Sequence, residues 1–171
     1  SRKEENGFGG AVSINYRDPT WWELGGYIGV GDGILNLNDI GFLARANMRN
    51  FGLNAAIRRD EPKGIFISQK LSVNYRLSSR YTDNTIISNR INLKQENTFK
   101  NYWRFGFEVE LNPETYSDND QYRNSKAKII KQESTQINKI WIQSDRRKRI
   151  IVKPNIDFYN KERSGLGKRI G

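Results

Sequence analysis

Residues 101–112 read NYWRFGFEVELN, and apolar and charged side chains alternate along this stretch. Every second residue from Trp103 to Leu111 is apolar, whereas Arg104, Glu108 and Glu110 fall between them. A period of two places these sets on opposite faces of a β-strand that separates an apolar environment from a polar one. The stretch therefore predicts a two-sided strand.

The same alternation recurs through most of the 171 residues, between turn signals such as Asp18-Pro19 and Pro62. It predicts an all-β chain, an antiparallel meander of about nine strands with no helix. Strands of roughly 8 to 14 residues approach the length that a tilted crossing of a bilayer requires. We predict short turns near Pro62, Asn97 and Thr135 and longer ones near Asp83 and Tyr116, as in barrels with short periplasmic turns. The predicted fold is a transmembrane β-barrel, or a fragment of a larger one.

The composition leaves both a membrane barrel and a soluble β-protein open. The hydrophobic fraction is 36% and the mean hydropathy is −0.80, but barrels keep a low average because half of each strand faces a polar lumen. The chain has no cysteine and no histidine, which excludes thiolate or imidazole metal sites and His-based nucleophiles. We expect no cofactor, no metal and no enzyme activity. The net charge of +10 favours anionic partners.

The alternation also assigns individual side chains to an environment. The residues expected to face lipid are Trp103, Phe105, Phe107, Val109 and Leu111, together with Leu71, Val73 and Leu77. Those expected to face the lumen are Arg76, Lys94, Arg104 and Glu108.

Three polar clusters have both a catalytic or binding interpretation and a simpler one. Glu108 and Glu110 resemble the carboxylate pair of an inverting glycosidase in their spacing, but a lumenal charge ladder is favoured because Arg104 shares their face. Residues 118–120 offer oxygens to calcium but lack the other ligands of a calcium loop. Residues 145–149 are the densest basic run, either a charged turn or an anion site. Its candidate anion-binding residues are Arg146, Arg147, Lys148 and Arg149.

Several short phrases resemble a known family. They are Asn38-Asp39-Ile40-Gly41-Phe42-Leu43, Trp21-Trp22-Glu23-Leu24-Gly25-Gly26, Trp103-Arg104-Phe105-Gly106-Phe107 and Ser144-Asp145-Arg146-Arg147-Lys148. They resemble a Bacteroidota outer-membrane family, domain-of-unknown-function family 5916. The resemblance implies a large barrel similar to TonB-dependent receptors, preceded in full-length members by a family 9 carbohydrate-binding module. It supplies no catalytic residues.

The resulting expectation is a single β-barrel segment over residues 1–171, an internal or C-terminal piece of a longer outer-membrane protein associated with carbohydrate binding or uptake. Its expected partners are outer-membrane lipid, lipopolysaccharide and a glycan, but not nucleic acid. The alternative is a soluble β-sandwich that binds an anionic glycan or nucleic acid, with the apolar faces packed against a second sheet.

Overall fold

The computed structural model describes residues 7–32, 47–117 and 129–161, and the backbone of residues 165–170. Eleven strands lie within these residues. They are β1 (Gly9–Arg17), β2 (Trp22–Gly31), β3 (Met48–Arg59), β4 (Phe66–Arg80), β5 (Ile86–Phe99), β6 (Arg104–Asn112), β7 (Thr115–Ser117), β8 (Ile130–Gln132), β9 (Thr135–Gln143), β10 (Asn155–Lys161) and β11 (Gly165–Ile170). Residues 38–43 and 118–120, which carried a family phrase and a possible calcium loop, lie outside the described residues.

Nine of the strands form one antiparallel sheet in the order β1-β2-β3-β4-β5-β6-β9-β10-β11. β7 and β8 pair separately, as a small hairpin in the connection between β6 and β9. The predicted all-β antiparallel meander is confirmed. The sheet is open across the described residues, since β1 and β11 lie at opposite edges.

The strand register sorts the side chains of this sheet onto two unlike faces, because directly opposed residues of paired strands point the same way. We call one the apolar face. Across the middle of the sheet it carries Tyr16, Leu24, Ala55, Val73, Leu93 and Val109, one from each strand of β1–β6. The opposite, polar face carries the residues between them, among them Glu23, Ser72, Lys94 and Glu108.

The apolar face is uncovered in the described part of the chain. Its aliphatic side chains remain exposed even at the centre of the sheet, by 41% at Val73 and 37% at Leu93, and by 73% at Ile14 on the edge strand. Phe105 and Phe107 are half-buried by neighbours within the same sheet. The one large hydrophobic side chain that is buried among the described residues, Trp141, lies on the polar face. The usual arrangement of an apolar core and a polar surface is therefore absent from this sheet.

The turn between β5 and β6 differs from the prediction. We expected it near Asn97, but β5 continues to Phe99 and the turn occupies residues 100–103, with Tyr102 at a φ of +63°. Trp103 thus precedes β6 instead of opening it. Asn97 is 8% exposed on the apolar face, where its Oδ1 accepts hydrogen bonds from Gln69 (2.9 Å) and Gln95 (3.0 Å). These amides satisfy one another, which allows strand pairing to continue through a polar position.

Two further turn predictions also need correction. Short turns were expected at one end of the sheet near Pro62 and Thr135, yet these residues lie at opposite ends, because the long connection 113–134 brings the chain into β9 at the far end. The longer turn predicted near Tyr116 contains a short strand, since β7 occupies Thr115–Ser117. The sequence pattern could not show this, since a three-residue strand is too short for alternation to be visible.

Among the residues described, none forms a helix with the length and apolar character needed to cross a membrane.

Candidate functional site

The polar face is the part of the described chain where chemically active side chains are brought together. Arg76, Lys94, Arg104 and Glu108, the predicted lumen-facing residues, all lie on it. They are not one cluster: Arg104 lies near the β5–β6 turn, and Arg76 lies towards the other end, opposite Arg90 in register. Whether this face meets a lumen stays a prediction, but its members share one surface.

A row of mostly charged residues, interrupted by Ala56 and Ser72, crosses the polar face at right angles to the strands. Strand pairing aligns Arg17, Glu23, Ala56, Ser72, Lys94, Glu108, Lys139, Asp157 and Arg169 across the nine strands. From Lys94 onward the sign of the charge alternates at every strand. Opposite charges in directly opposed positions stabilise strand pairing, whereas like charges weaken it. The row therefore supports this register.

The glutamates of the strands on this face are paired with cations. Glu23 contacts Lys70 at 2.8 Å, Arg17 at 3.3 Å and Arg58 at 3.5 Å. Glu96 contacts Lys94 at 3.1 Å and Arg104 at 3.2 Å.

Glu108 and Glu110 follow the same pattern. Glu108 accepts a hydrogen bond from Asn92 (2.7 Å) and lies 3.5 Å from the Lys139 ammonium. Glu110 accepts one from Asn112 (3.0 Å) and lies 3.6 Å from Arg90. Both carboxylates are therefore already engaged by neighbouring side chains of the sheet. This geometry favours the charge-ladder interpretation over that of a glycosidase pair.

A second row on this face is rich in amides. Asn15, Asn54, Asn74 and Asn92 are aligned by the register of β1–β5, with Gly25 between the first two. The amides of Asn15 and Asn54 both lie over Gly25, where a side chain would collide with them. An amide presents both donors and an acceptor, so the row can donate hydrogen bonds to a polar ligand and accept them from it.

Two aromatic side chains on the polar face each cover a glycine on the neighbouring strand. The Trp141 ring lies over Gly106 and the Tyr27 ring over Gly52, and a Cβ at either glycine would overlap the ring. Sequence reasoning missed both pairs. In each case the sequence shows a glycine and an aromatic residue at positions that alternation assigns to the polar face. Only the strand register shows that the two residues are neighbours.

Trp141 forms one wall of a cavity of about 590 Å³ on this face. The cationic lining residues are Lys94, Arg104, Lys139, Arg146 and Lys153. Three carboxylates, Glu96, Glu108 and Asp157, also line it. Gln143 also lines the cavity and is 4% exposed, with a buried Oε1 that has no hydrogen-bond partner among the described residues. The cavity therefore combines positive charge with an unsatisfied acceptor.

The basic run 145–149 forms a turn between β9 and β10, and its cations have different roles. Arg147 donates from Nη2 to Asp145 Oδ2 (2.8 Å), and its guanidinium carbon lies 3.1 Å from the centre of the Tyr102 ring. The hydrogen bonds from Arg147 lower the pKa of Asp145 to about 2 and the same pairing raises the pKa of Arg147. This arrangement joins the β9–β10 turn to the β5–β6 turn. Arg146 instead borders the cavity, and Lys148 and Arg149 are exposed.

The predicted lipid-facing residues lie on the side opposite these sites. Phe105, Phe107, Val109 and Leu111 lie on the apolar face of β6. Trp103 lies in the adjoining turn and is 41% exposed. Among the described residues, no three side chains of the metal-ligating types are grouped closely enough to hold an ion.

The fold and this surface define an all-β protein built on an antiparallel sheet with one apolar and one charged face. The family described as a domain of unknown function (DUF5916) matches residues 1–169, and the chain belongs to that family. Comparison with curated proteins found no match, and comparison with solved structures found none either.

Proposed function

We propose that the nine-stranded sheet is part of the wall of a β-barrel in the outer membrane of a Gram-negative cell. In this arrangement the apolar face contacts lipid and the polar face lines a water-filled lumen. The observation that carries the proposal is the uncovered apolar face, whose central residues Val73 and Leu93 remain more than a third exposed. Soluble monomers rarely leave an apolar surface this continuous in water, whereas a barrel wall requires one.

The polar face supports the same assignment from the other side. Its cross-strand ion pairs, such as Glu23 with Lys70 and Glu96 with Arg104, are suited to a hydrated interior. The soluble sandwich would need a second sheet against Phe105 and Phe107. The described residues offer only the small β7–β8 hairpin as a further sheet, and β7 contacts β5. Outer-membrane lipid and lipopolysaccharide are the corresponding partners of the apolar face.

We further propose that the lumen binds or passes a carbohydrate without chemical conversion. The amide row supports this proposal, since Asn54 and Asn74 can each donate to and accept from sugar hydroxyls. Nucleic acid is not the proposed partner, because the charges on this face alternate in sign and do not form a uniformly basic stripe. Replacing Asn74 with Leu is expected to weaken binding of neutral oligosaccharides in a titration. Unchanged affinity would contradict the role of the amide row.

The absence of cysteine from this sequence permits a direct test of membrane placement. Single substitutions Val73→Cys and Leu93→Cys on the apolar face, and Ser72→Cys and Asn92→Cys on the polar face, would each carry a bimane fluorophore. The labelled protein is then reconstituted into liposomes whose lipid tails bear nitroxide quenchers. Strong quenching is expected at 73 and 93 and weak quenching at 72 and 92. Equal quenching on both faces, or none at either, would overturn the barrel proposal.

A further inference from the structure

We propose that the cavity beside Trp141 binds an acidic saccharide, through its negative group at Arg146 and Lys153 and a hydroxyl at Gln143. The three residues line the same cavity of about 590 Å³ on the polar face. This inference deepens the proposed function and rests on it in one respect: the polar face must be open to water and ligand.

The cavity lining carries more cations than carboxylates. Lys94 and Arg104 are paired with Glu96, and Lys139 is paired with Glu108. Arg146 and Lys153 have no carboxylate within ion-pair distance in the described part of the chain, and both are exposed. The third carboxylate of the lining, Asp157, instead lies within 3.4 Å of donors on Asn155 and Tyr159. Five cations against three carboxylates leave the lining with an excess of two positive charges, and Arg146 and Lys153 are the cations without a carboxylate partner.

Gln143, which lines the same cavity, has an unpartnered side-chain oxygen. The residue is 4% exposed, and its Oε1 accepts no hydrogen bond from any described donor. A buried acceptor without a partner is unfavourable, so a donor group placed beside Gln143 would stabilise it. A hydroxyl group supplies such a donor, whereas a fully ionised inorganic anion supplies few or none. The combination of unpaired cations and an orphaned acceptor selects a ligand that is both acidic and hydroxylated.

Trp141 gives the cavity a fixed wall. Its ring packs against the backbone of Gly106. The Lys153 ammonium lies 4.9 Å from the centre of the ring, and the Arg104 guanidinium lies 5.6 Å from it. Cations at these distances are attracted to the face of an indole. Lys153 is thereby kept beside the cavity, which lowers the entropy lost when it pairs with a ligand.

The test uses calorimetric titration of the full chain in detergent with a galacturonic acid trimer. Maltotriose serves as the neutral saccharide and sodium phosphate as the free anion. The acidic trimer is expected to bind at least about tenfold more tightly than either, as one additional charge-assisted hydrogen bond would produce. Equal affinity for maltotriose would overturn charge recognition, and equal affinity for phosphate would overturn saccharide recognition.

Variants locate the binding. Arg146→Gln and Lys153→Gln are each expected to weaken trimer binding about fivefold or more. Lys63→Gln, which removes the same charge from an exposed turn outside the cavity, is the matched control and should change little. An equal loss in the control would mean attraction to the net charge alone and would overturn the site.

Gln143→Met tests the acceptor separately. It should weaken binding of the trimer and leave phosphate binding unchanged; an unchanged trimer affinity would contradict the hydroxyl contact. If this buried substitution prevents folding, Arg146→Gln and Lys153→Gln still decide whether the trimer binds in this cavity. Because binding is measured in detergent, a negative lipid-quenching result would remove the barrel proposal and leave this titration interpretable.

Discussion

The indole ring of Trp141 on β9 lies directly over Gly106, its register partner on β6, where a methyl group would overlap the ring. This contact explains why the buried large hydrophobic residue of the described sheet lies on the charged face. The ring occupies the space that a side chain at Gly106 would need, so the contact favours this register between β6 and β9. Tyr27 and Gly52 repeat the arrangement between β2 and β3.

The first prediction concerns this pair. Gly106→Ala should lower the free energy of unfolding by about 1–3 kcal/mol, since the added methyl group overpacks against Trp141. Urea unfolding of the reconstituted protein measures it. Gly10→Ala is the control, because nothing lies within 4 Å of a Cβ there, and its effect should stay below about 0.5 kcal/mol. A similar loss in both variants would mean a general intolerance of strand glycines to substitution.

The second prediction concerns Glu23, whose carboxylate contacts three cations. Glu23→Gln should lower the free energy of unfolding by about 1 kcal/mol at low salt, because Arg17, Lys70 and the nearly buried Arg58 are then left close together. The loss should shrink in about 1 M salt, where charges are screened within a few ångströms. Glu61→Gln, in the exposed turn 60–65, is the control. A loss independent of salt would point to packing instead of charge.

The third prediction compares two neighbouring residues of β4. Val73→Arg should destabilise the membrane-inserted protein by about 2–4 kcal/mol if that position lies near the bilayer midplane, and Val109→Arg should act alike. Asn74→Arg adds the same side chain to the polar face and should have little effect. Unfolding titrations in lipid and in detergent measure both. Equal stability of Val73→Arg and its parent in lipid would argue against membrane insertion.

The fourth prediction concerns the turn that joins Asp145, Arg147 and Tyr102. The pKa of Asp145 is lowered from 3.8 to about 2 by the hydrogen bonds from Arg147. Its contribution to turn stability is therefore complete above about pH 4 and declines as the pH falls towards 2. Carboxyl carbon NMR should give a midpoint near 2, and Arg147→Gln should return it towards the ordinary value. A midpoint near 3.8 in the unmodified protein would show that the turn is open in solution.

The sequence was sufficient for features that depend on local geometry. Side-chain direction alternates along any strand, so the placement of Phe105, Val109, Arg104 and Glu108 on two opposite surfaces could be derived from residues 101–112 alone. The all-β class and the antiparallel meander followed from the same repetition and are confirmed. The lipid and lumen assignments of those surfaces stay predictions for the experiments above.

What the sequence could not supply depends on contacts between distant residues. The cavity unites Arg146 and Lys153 with Gln143 and Lys94 only because β7 and β8 pair outside the large sheet and β9 pairs with β6. Asn97 is accommodated within β5 because Gln69 and Gln95 both donate hydrogen bonds to its Oδ1.

Alternation thus determined from the sequence which residues share a surface, since it is set by the backbone of each strand. Register and strand order, which decide which side chains become neighbours, arose from packing such as that of Trp141 on Gly106, and only the tertiary structure could show them.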